Sequence, residues 1–332
     1  MQHFTTVYDV KDPIQLVNEA IELKSQPNSF SELGKGKTLG LIFLNPSLRT
    51  RLSTQKAGRM LGMEVMMLNI DKESWAIEWN DDVIMNGNTV EHIKDAAAVL
   101  GSYCDIIGIR CFPSLIDRNL DYSEKLLVQL MRYCHVPVIS LESATLHPLQ
   151  SLADAITIKE NWKHDHKPKV VLTWAPHIKA LPQAVPNSFA EWMTKLDVDL
   201  TVVQPEGYEL CSDYTKGATI EYDQDKALKD ADFVYVKNWS SYHDYGKMPE
   251  VKTNWMMNFD KYNLTNKAGM MHCLPVRRDV ELSSSLIDHP KSLIQQQASN
   301  RVCSSLVVLK NILTTSTTLT QKVKSEIKIE EL

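Results

Sequence analysis

The sequence predicts an α/β protein made of two doubly wound parallel-sheet domains, and three observations predict it. Eight short apolar runs rich in Val and Ile alternate with longer stretches of helical period, the pattern of parallel strands covered on both faces. The runs fall into two groups of four, which divides the 332 residues into two units of similar size. A net charge of -5, from 36 basic and 41 acidic side chains, gives no broad basic field, so nucleic acid is not an expected partner and any anion must be held locally.

The first group of strands is "TLGLIFL" (38–44), "EVMMLNI" (64–70), "CDIIGIR" (104–110) and "VPVISL" (136–141). The second is "KVVLTWA" (169–175), "DLTVVQP" (199–205), "DFVYVKN" (232–238) and "GMMHCLP" (269–275). Helical patterns cover 91–103, 124–134 and 223–231. The boundary falls in "HPLQSLADAITIKENWKHDHKPK", which opens as a helix with Pro148 in its first turn and ends as a polar loop holding His164 and His166. The expected division is therefore 1–147 and 148–291. A late helix at about 292–314 is long enough to cross back onto the first unit, and the Thr/Ser-rich, then charged, tail beyond it reads as a solvated end.

The first residues, "MQHFTTVYDVKD", lack the basic and apolar regions of a signal peptide, and no apolar run approaches the roughly 20 residues of a membrane span. Six cysteines without CxxC spacing read as reduced thiols, and no His/Cys cluster has the spacing of metal ligands. The expectation is a cytoplasmic protein with no membrane partner and no metal.

Three common motifs fail. "GKGKT" (34–38) has Ser31 where a phosphate loop needs glycine, and it precedes its strand. No G-x-G-x-x-G follows a strand, and there is no G-x-S-x-G nucleophile elbow. Position is more informative, because ligands of open parallel sheets bind beyond the C-terminal ends of the strands. Those ends carry Ser47, Arg49, Thr50 and Arg51 in "NPSLRTRLS", Arg110 in "GIRCFP", and Glu142, His147 and Gln150 in "LESATLHPLQ". In the second group, Lys237 closes "DFVYVK", and "HCLPVRR" brings Cys273, Leu274, Arg277 and Arg278; Arg301 lies among small residues in the late helix. Singly, each has a plainer role as a strand-end charge, a helix cap or a small core thiol. Together they suggest a dianionic phosphate ligand beside a polarised carbonyl.

"SLRTR" resembles the S-x-R-T-R phosphate motif of the carbamoyltransferases, "HPLQSLADAITIKE" their H-P-x-Q-x-L-x-D signature, and "HCLP" the motif of the ornithine branch. The resemblance runs from about residue 37 to 312. The S-M-G loop of ordinary ornithine enzymes is replaced here by "VYVKNWSS", and the proline-rich "WAPHIKALPQAVPNS" (174–188) resembles the acetyl- and succinylornithine branch. That branch implies a homotrimer, a shallow knot in the second domain and no cofactor. It also implies that Trp75 reaches a neighbouring subunit's site.

Carried over by motif, Ser47, Arg49 and Thr50 hold the phosphate of carbamoyl phosphate, with backbone N–H groups around Leu48 helping. Arg110 bridges the phosphate and the carbamoyl oxygen. His147 and Thr50 polarise that oxygen as charge grows on it. Gln150 and the backbone of Cys273 and Leu274 orient the carbamoyl NH₂, and Arg301 completes the site. Glu142, His177, Lys237 and Arg277 are the acylornithine contacts, while Val90 and the Phe112–Pro113 pair shape the acyl pocket. Enzymes of the branch that take N-acetylornithine resemble one another in carrying Glu after "NGNT", and those that take N-succinylornithine usually have Pro. Val90 matches neither, but a neutral side chain spares a second carboxylate the repulsion that Glu would impose. The expected reaction is carbamoyl transfer to the δ-amine of N-succinyl-L-ornithine, within arginine biosynthesis by an acylated route. N-acetyl-L-ornithine is the alternative substrate, and a non-catalytic anion-binding paralogue is the alternative from another class.

Overall fold

The computed structural model describes residues 1–26 and 29–330, with side chains described through Thr315 except that of Asp71. Its strands are β1 (Thr38–Phe43), β2 (Glu64–Asn69), β3 (Ile77–Glu78), β4 (Glu91–His92), β5 (Ile106–Arg110), β6 (Val138–Glu142), β7 (Lys169–Trp174), β8 (Asp199–Val203), β9 (Thr219–Glu221), β10 (Phe233–Lys237) and β11 (Gly269–Met271). They form two parallel sheets, ordered β2-β1-β5-β6 and β11-β10-β7-β8-β9, and a two-stranded ladder of β3 with β4.

All eight expected strands are present, and the differences have local causes. The second sheet gains β9, a three-residue edge strand too short and too polar to show as an apolar run. The run "GMMHCLP" ends its strand at Met271, because Leu274 has φ +59 and Pro275 has no N–H to give a ladder. The helix expected over 223–231 is limited to Gln224–Leu228, as Asp230 at φ +58 cannot extend it. The last third of the proline-rich stretch opens a helix, Ala184–Met193, which tolerates Pro186 because a first turn needs no such donor. The last helix starts at Ile294 and runs through the expected tail to Glu330.

Central strands β1, β5, β7 and β10 and the covered edge strand β6 are buried almost throughout, while the edge strands β2 and β9 are partly exposed. This is why the central ones read as unbroken apolar runs. The free edge of β6 is covered by Phe4, whose N–H donates to Val138 O and whose carbonyl accepts from Ser140 N. Helices Ile93–Tyr103 and Lys125–Cys134 pack together at Gly101, where a Cβ would lie 1.9 Å from Cys134 O, so only glycine allows the approach.

The helix Pro148–Asn161 is buried from Pro148 to Ile158 and packs on β6, on Ala184–Met193 and on the last helix. The last helix also packs on Arg49–Met60 and on Pro13–Ser25. Among the described residues, no helix is long and apolar enough to cross a membrane.

Candidate active site

Strand β1 ends at Phe43, and the chain turns through Asn45-Pro46-Ser47 into the helix Arg49–Met60. That helix has no side-chain cap, and its first turn holds no acidic residue. Its N-terminal N–H groups and positive dipole end are therefore free for an anion. Leu48 is exposed and Ser47 half-buried at this turn, so what they offer is backbone and a hydroxyl rather than packing.

Thr50 is the centre of the cluster. Its Oγ1 accepts from Arg301 Nη2 at 2.6 Å and from Arg110 Nη1 at 3.3 Å. The three residues come from the first helix turn, the last helix and the end of β5, which is how distant segments meet. Arg110 Nη1 also donates to Glu142 Oε2 at 2.5 Å, and its guanidinium lies 4.3 Å from the Phe112 ring centroid. His147 Nε2 is 3.4 Å from both Glu142 Oε2 and Arg301 Nη2.

Three guanidinium groups, Arg49, Arg110 and Arg301, thus face one carboxylate, which leaves two positive charges uncompensated in a buried site. Burial and mutual repulsion push Arg301 down to about 10, still charged at neutral pH, and lower Arg49 as well. Burial first, then the three arginines, drives His147 well below its ordinary value, so the imidazole is neutral. The Nε atoms of all three arginines and His147 Nδ1 are buried with no hydrogen-bond partner among the described residues. Buried donors left unpaired cost roughly 1–3 kcal/mol each, which a bound anion would recover.

Gln150, one turn into the Pro148 helix, gives its Nε2 to Asp154 Oδ1 at 2.8 Å and leaves its buried Oε1 without a partner. Cys273 and Leu274 lie beyond β11, in a loop held by Leu274 N donating to His272 Nδ1. The buried Cys273 thiol is pushed up by desolvation, so it stays protonated and is not a nucleophile. Lys237 closes β10, is buried and donates Nζ to Asn238 O at 3.0 Å. At the rim, Arg277 Nε donates to His177 Nε2 at 3.1 Å, and His177 Nδ1 in turn donates to Lys179 O.

Other basic groups from the sequence point elsewhere. Arg51 donates to Asn69 Oδ1 at 2.8 Å and lies over the Phe43 ring. Arg278 makes a two-pronged pair with Asp288 in solvent. Trp75 and Val90 stand apart from the arginine cluster, on the exposed excursion around β3 and β4. Trp75 Nε1 donates to Glu91 Oε2 at 2.6 Å, and Val90 N donates to Ala76 O at 2.9 Å. Sequence reasoning gave no role to Asp154, Gln297, His272 or Glu281, which are buried around this site. Asp154 could have been found, since it follows Gln150 by four residues and so shares its helix face; Gln297 precedes Arg301 by the same step.

A cluster of basic side chains at the carboxyl end of one parallel sheet, in a chain that carries a second such sheet, is the plan of a two-lobed group-transfer enzyme. Residues 2–160 match the family model of the aspartate/ornithine carbamoyltransferase carbamoyl-P binding domain, and residues 182–312 match the Asp/Orn binding domain of the same family. The chain belongs to the aspartate/ornithine carbamoyltransferase family.

Among its relatives, N-succinylornithine carbamoyltransferase of Bacteroides thetaiotaomicron is 48% identical over 94% of this chain and 99% of its own. N-acetylornithine carbamoyltransferase of Xanthomonas axonopodis pv. citri is 36% identical over 82% of this chain and 84% of its own. A solved structure of acetylornithine transcarbamylase complexed with acetylcitrulline superposes with a TM-score of 0.88 at 32% identity, covering 94% of this chain and 99% of that one. A variant of N-acetyl-L-ornithine transcarbamylase with one glutamate replaced by valine, complexed with carbamyl phosphate and N-succinyl-L-norvaline, superposes equally well.

Proposed function

We propose that the protein transfers the carbamoyl group of carbamoyl phosphate to the δ-amine of N-succinyl-L-ornithine, giving N-succinyl-L-citrulline and phosphate. The observation that carries the reading is the trio of buried guanidinium groups around Thr50, each with an unpaired N–H and two charges in excess. That excess matches a dianionic phosphate. In this reading Ser47, Arg49 and Thr50 with the free helix end grip the phosphate, and Arg110 and Arg301 stabilise its departure. Neutral His147 draws electron density from the carbamoyl oxygen without adding a charge. The amine attacks directly, and the leaving phosphate takes its proton, so much of the rate comes from positioning.

Lys237 and the His177–Arg277 pair, with Glu142, would receive the acylornithine, the two cations meeting its two carboxylates. Phe112, Pro113 and Val90 would shape the acyl pocket. The succinyl relatives, and the succinyl analogue bound to an acetyl enzyme once a glutamate became valine, support the part given to Val90. Acylation removes the positive charge of the α-amine, which suits a cytoplasmic step of arginine biosynthesis by an acylated route.

The wider reading divides the chain at 147/148, with the last helix returning to the first domain. It assembles three copies so that the exposed Trp75 enters a neighbour's site. The loops after β7 and β10 are laced together, by Ser240 N to Leu181 O, Gln183 Nε2 to Ser240 O and Trp174 Nε1 to Trp239 O, which supports a shallow knot there.

Phosphate release and ureido product, measured with carbamoyl phosphate and N-succinyl-, N-acetyl- or unmodified L-ornithine, test the reading. Succinyl should be preferred. A strong acetyl preference would transfer the assignment to that substrate, and no turnover with any of the three would leave an anion-binding paralogue.

A further inference from the structure

We propose that Asp154 is the positioning residue for the carbamoyl amide, fixing through one oxygen the groups on both lobes that receive that NH₂. The proposal rests on the transfer reaction given above and adds to it a residue that touches no substrate.

The argument begins with a glutamine. The two ends of the Gln150 amide have nearly the same shape, so its partners decide which end faces the site. A carboxylate can accept but not donate through an unprotonated oxygen. Asp154 Oδ1 takes Gln150 Nε2 at 2.8 Å and Gln297 Nε2 at 2.7 Å. The Gln150 Oε1 is thereby turned the other way, where it is buried and meets no donor among the described residues. An amide N–H of the carbamoyl group is the donor it lacks.

The second donor leads to the other lobe. Gln297 Oε1 accepts from the backbone N–H of His272 at 2.9 Å, and His272 Nδ1 accepts from Leu274 N at 2.9 Å. The loop that presents Cys273 and Leu274 is thus tied to Asp154 through one side chain of the last helix. Every group in the path is buried except the half-buried Leu274, and Asp154 itself has no solvent exposure. In a buried setting such a path has one satisfied arrangement: flipping either amide would set its oxygen against Asp154 Oδ1, and flipping Gln297 would also set its N–H groups against the His272 N–H.

Asp154→Leu, Asp154→Asn and Gln297→Met separate positioning from packing. Leucine fills the space without an acceptor; asparagine can still offer Oδ1 to both glutamines. Asp154→Leu should lower kcat/KM for carbamoyl phosphate by roughly a hundredfold and leave KM for the acylornithine within about twofold, while Asp154→Asn recovers to within about threefold of the parent. Gln297→Met, which keeps Asp154 and Gln150 intact, should lose roughly tenfold.

A folded Asp154→Leu protein that keeps activity within about threefold overturns the proposal, as does an Asp154→Asn variant as damaged as the leucine one. Should the leucine variant fail to fold, an undiminished Gln297→Met overturns it instead. These outcomes are read against an active parent protein; a parent that releases no phosphate defeats the transfer reading, and not the placement of Asp154.

Discussion

The arginine cluster and the Trp75–Val90 excursion are both assigned to ligand binding, and they are built in opposite ways. In the cluster, Thr50, Arg110, Glu142, His147 and Arg301 are all nearly inaccessible, and each bonds to a residue from a different element. Around β3 and β4, Trp75 is 54% exposed, Val90 64% and Ile84 81%; Trp75 and Val90 bond only to near neighbours in the excursion, while Asn80 and Asp81 tie its base to the helix Lys125–Cys134. The first is prebuilt, since buried charges must be held by fixed partners. The second presents apolar side chains that nothing among the described residues covers, the kind of surface that the proposed reading completes with another copy. The difference teaches that, on that reading, one substrate would meet a prebuilt cluster and the other a pocket that one chain leaves open.

The largest way to break that comparison is to remove a cluster charge. Arg110→Met should reduce kcat/KM for carbamoyl phosphate by about a thousandfold or more, because Glu142 also loses its partner. Phosphate-release kinetics would check this, and a loss under tenfold would mean the anion binds elsewhere.

Trp75→Ala should cost about a hundredfold by the same assay. Mixing it with Arg110→Met after denaturation and refolding should restore activity, because some hybrid sites would have both wild-type residues. No recovery would assign Trp75 to its own chain.

Val90→Glu should shift the ratio of kcat/KM values toward the acetyl substrate by about tenfold, through repulsion of the succinyl carboxylate. An unchanged ratio would remove Val90 from specificity.

The smallest effect concerns stability. Burial raises Asp154 to about 7, from 3.8 for a free carboxyl. A raised folded value means that its contribution is full below about pH 3.8 and is lost as pH rises through about 7. Thermal melts should therefore show Asp154→Asn gaining on the parent by a few degrees between pH 5 and 8. A constant gap across that range would show that Asp154 does not titrate there.

Much of the fold was legible because its signals are local. Strands buried on both faces must be apolar on both, so β1, β5, β6, β7 and β10 announce themselves as runs. The edge strand β9 and the ladder of β3 with β4 did not, because three or two residues with an exposed face carry no period. Arg49, Arg110, His147 and Arg301 could be singled out by residue type and strand-end position. Asp154 was visible as the last residue of the H-P-x-Q-x-L-x-D pattern, but its role and that of Gln297 were not, since what a buried carboxylate holds has no meaning until its partner on another helix is known.

The sequence by itself determined the two parallel sheets, the anion chemistry of "SLRTR" and the neutral residue at position 90, all of which follow from period, residue type and order along the chain. Only the tertiary structure decided that Arg301, 251 residues from Thr50, shares its hydroxyl with Arg110, that Arg278 is paired with Asp288, and that one carboxylate aligns two glutamines. The physical reason is that strand and helix signals are short-ranged, whereas the charge state and orientation of a buried polar group depend on whichever segments the fold packs against it.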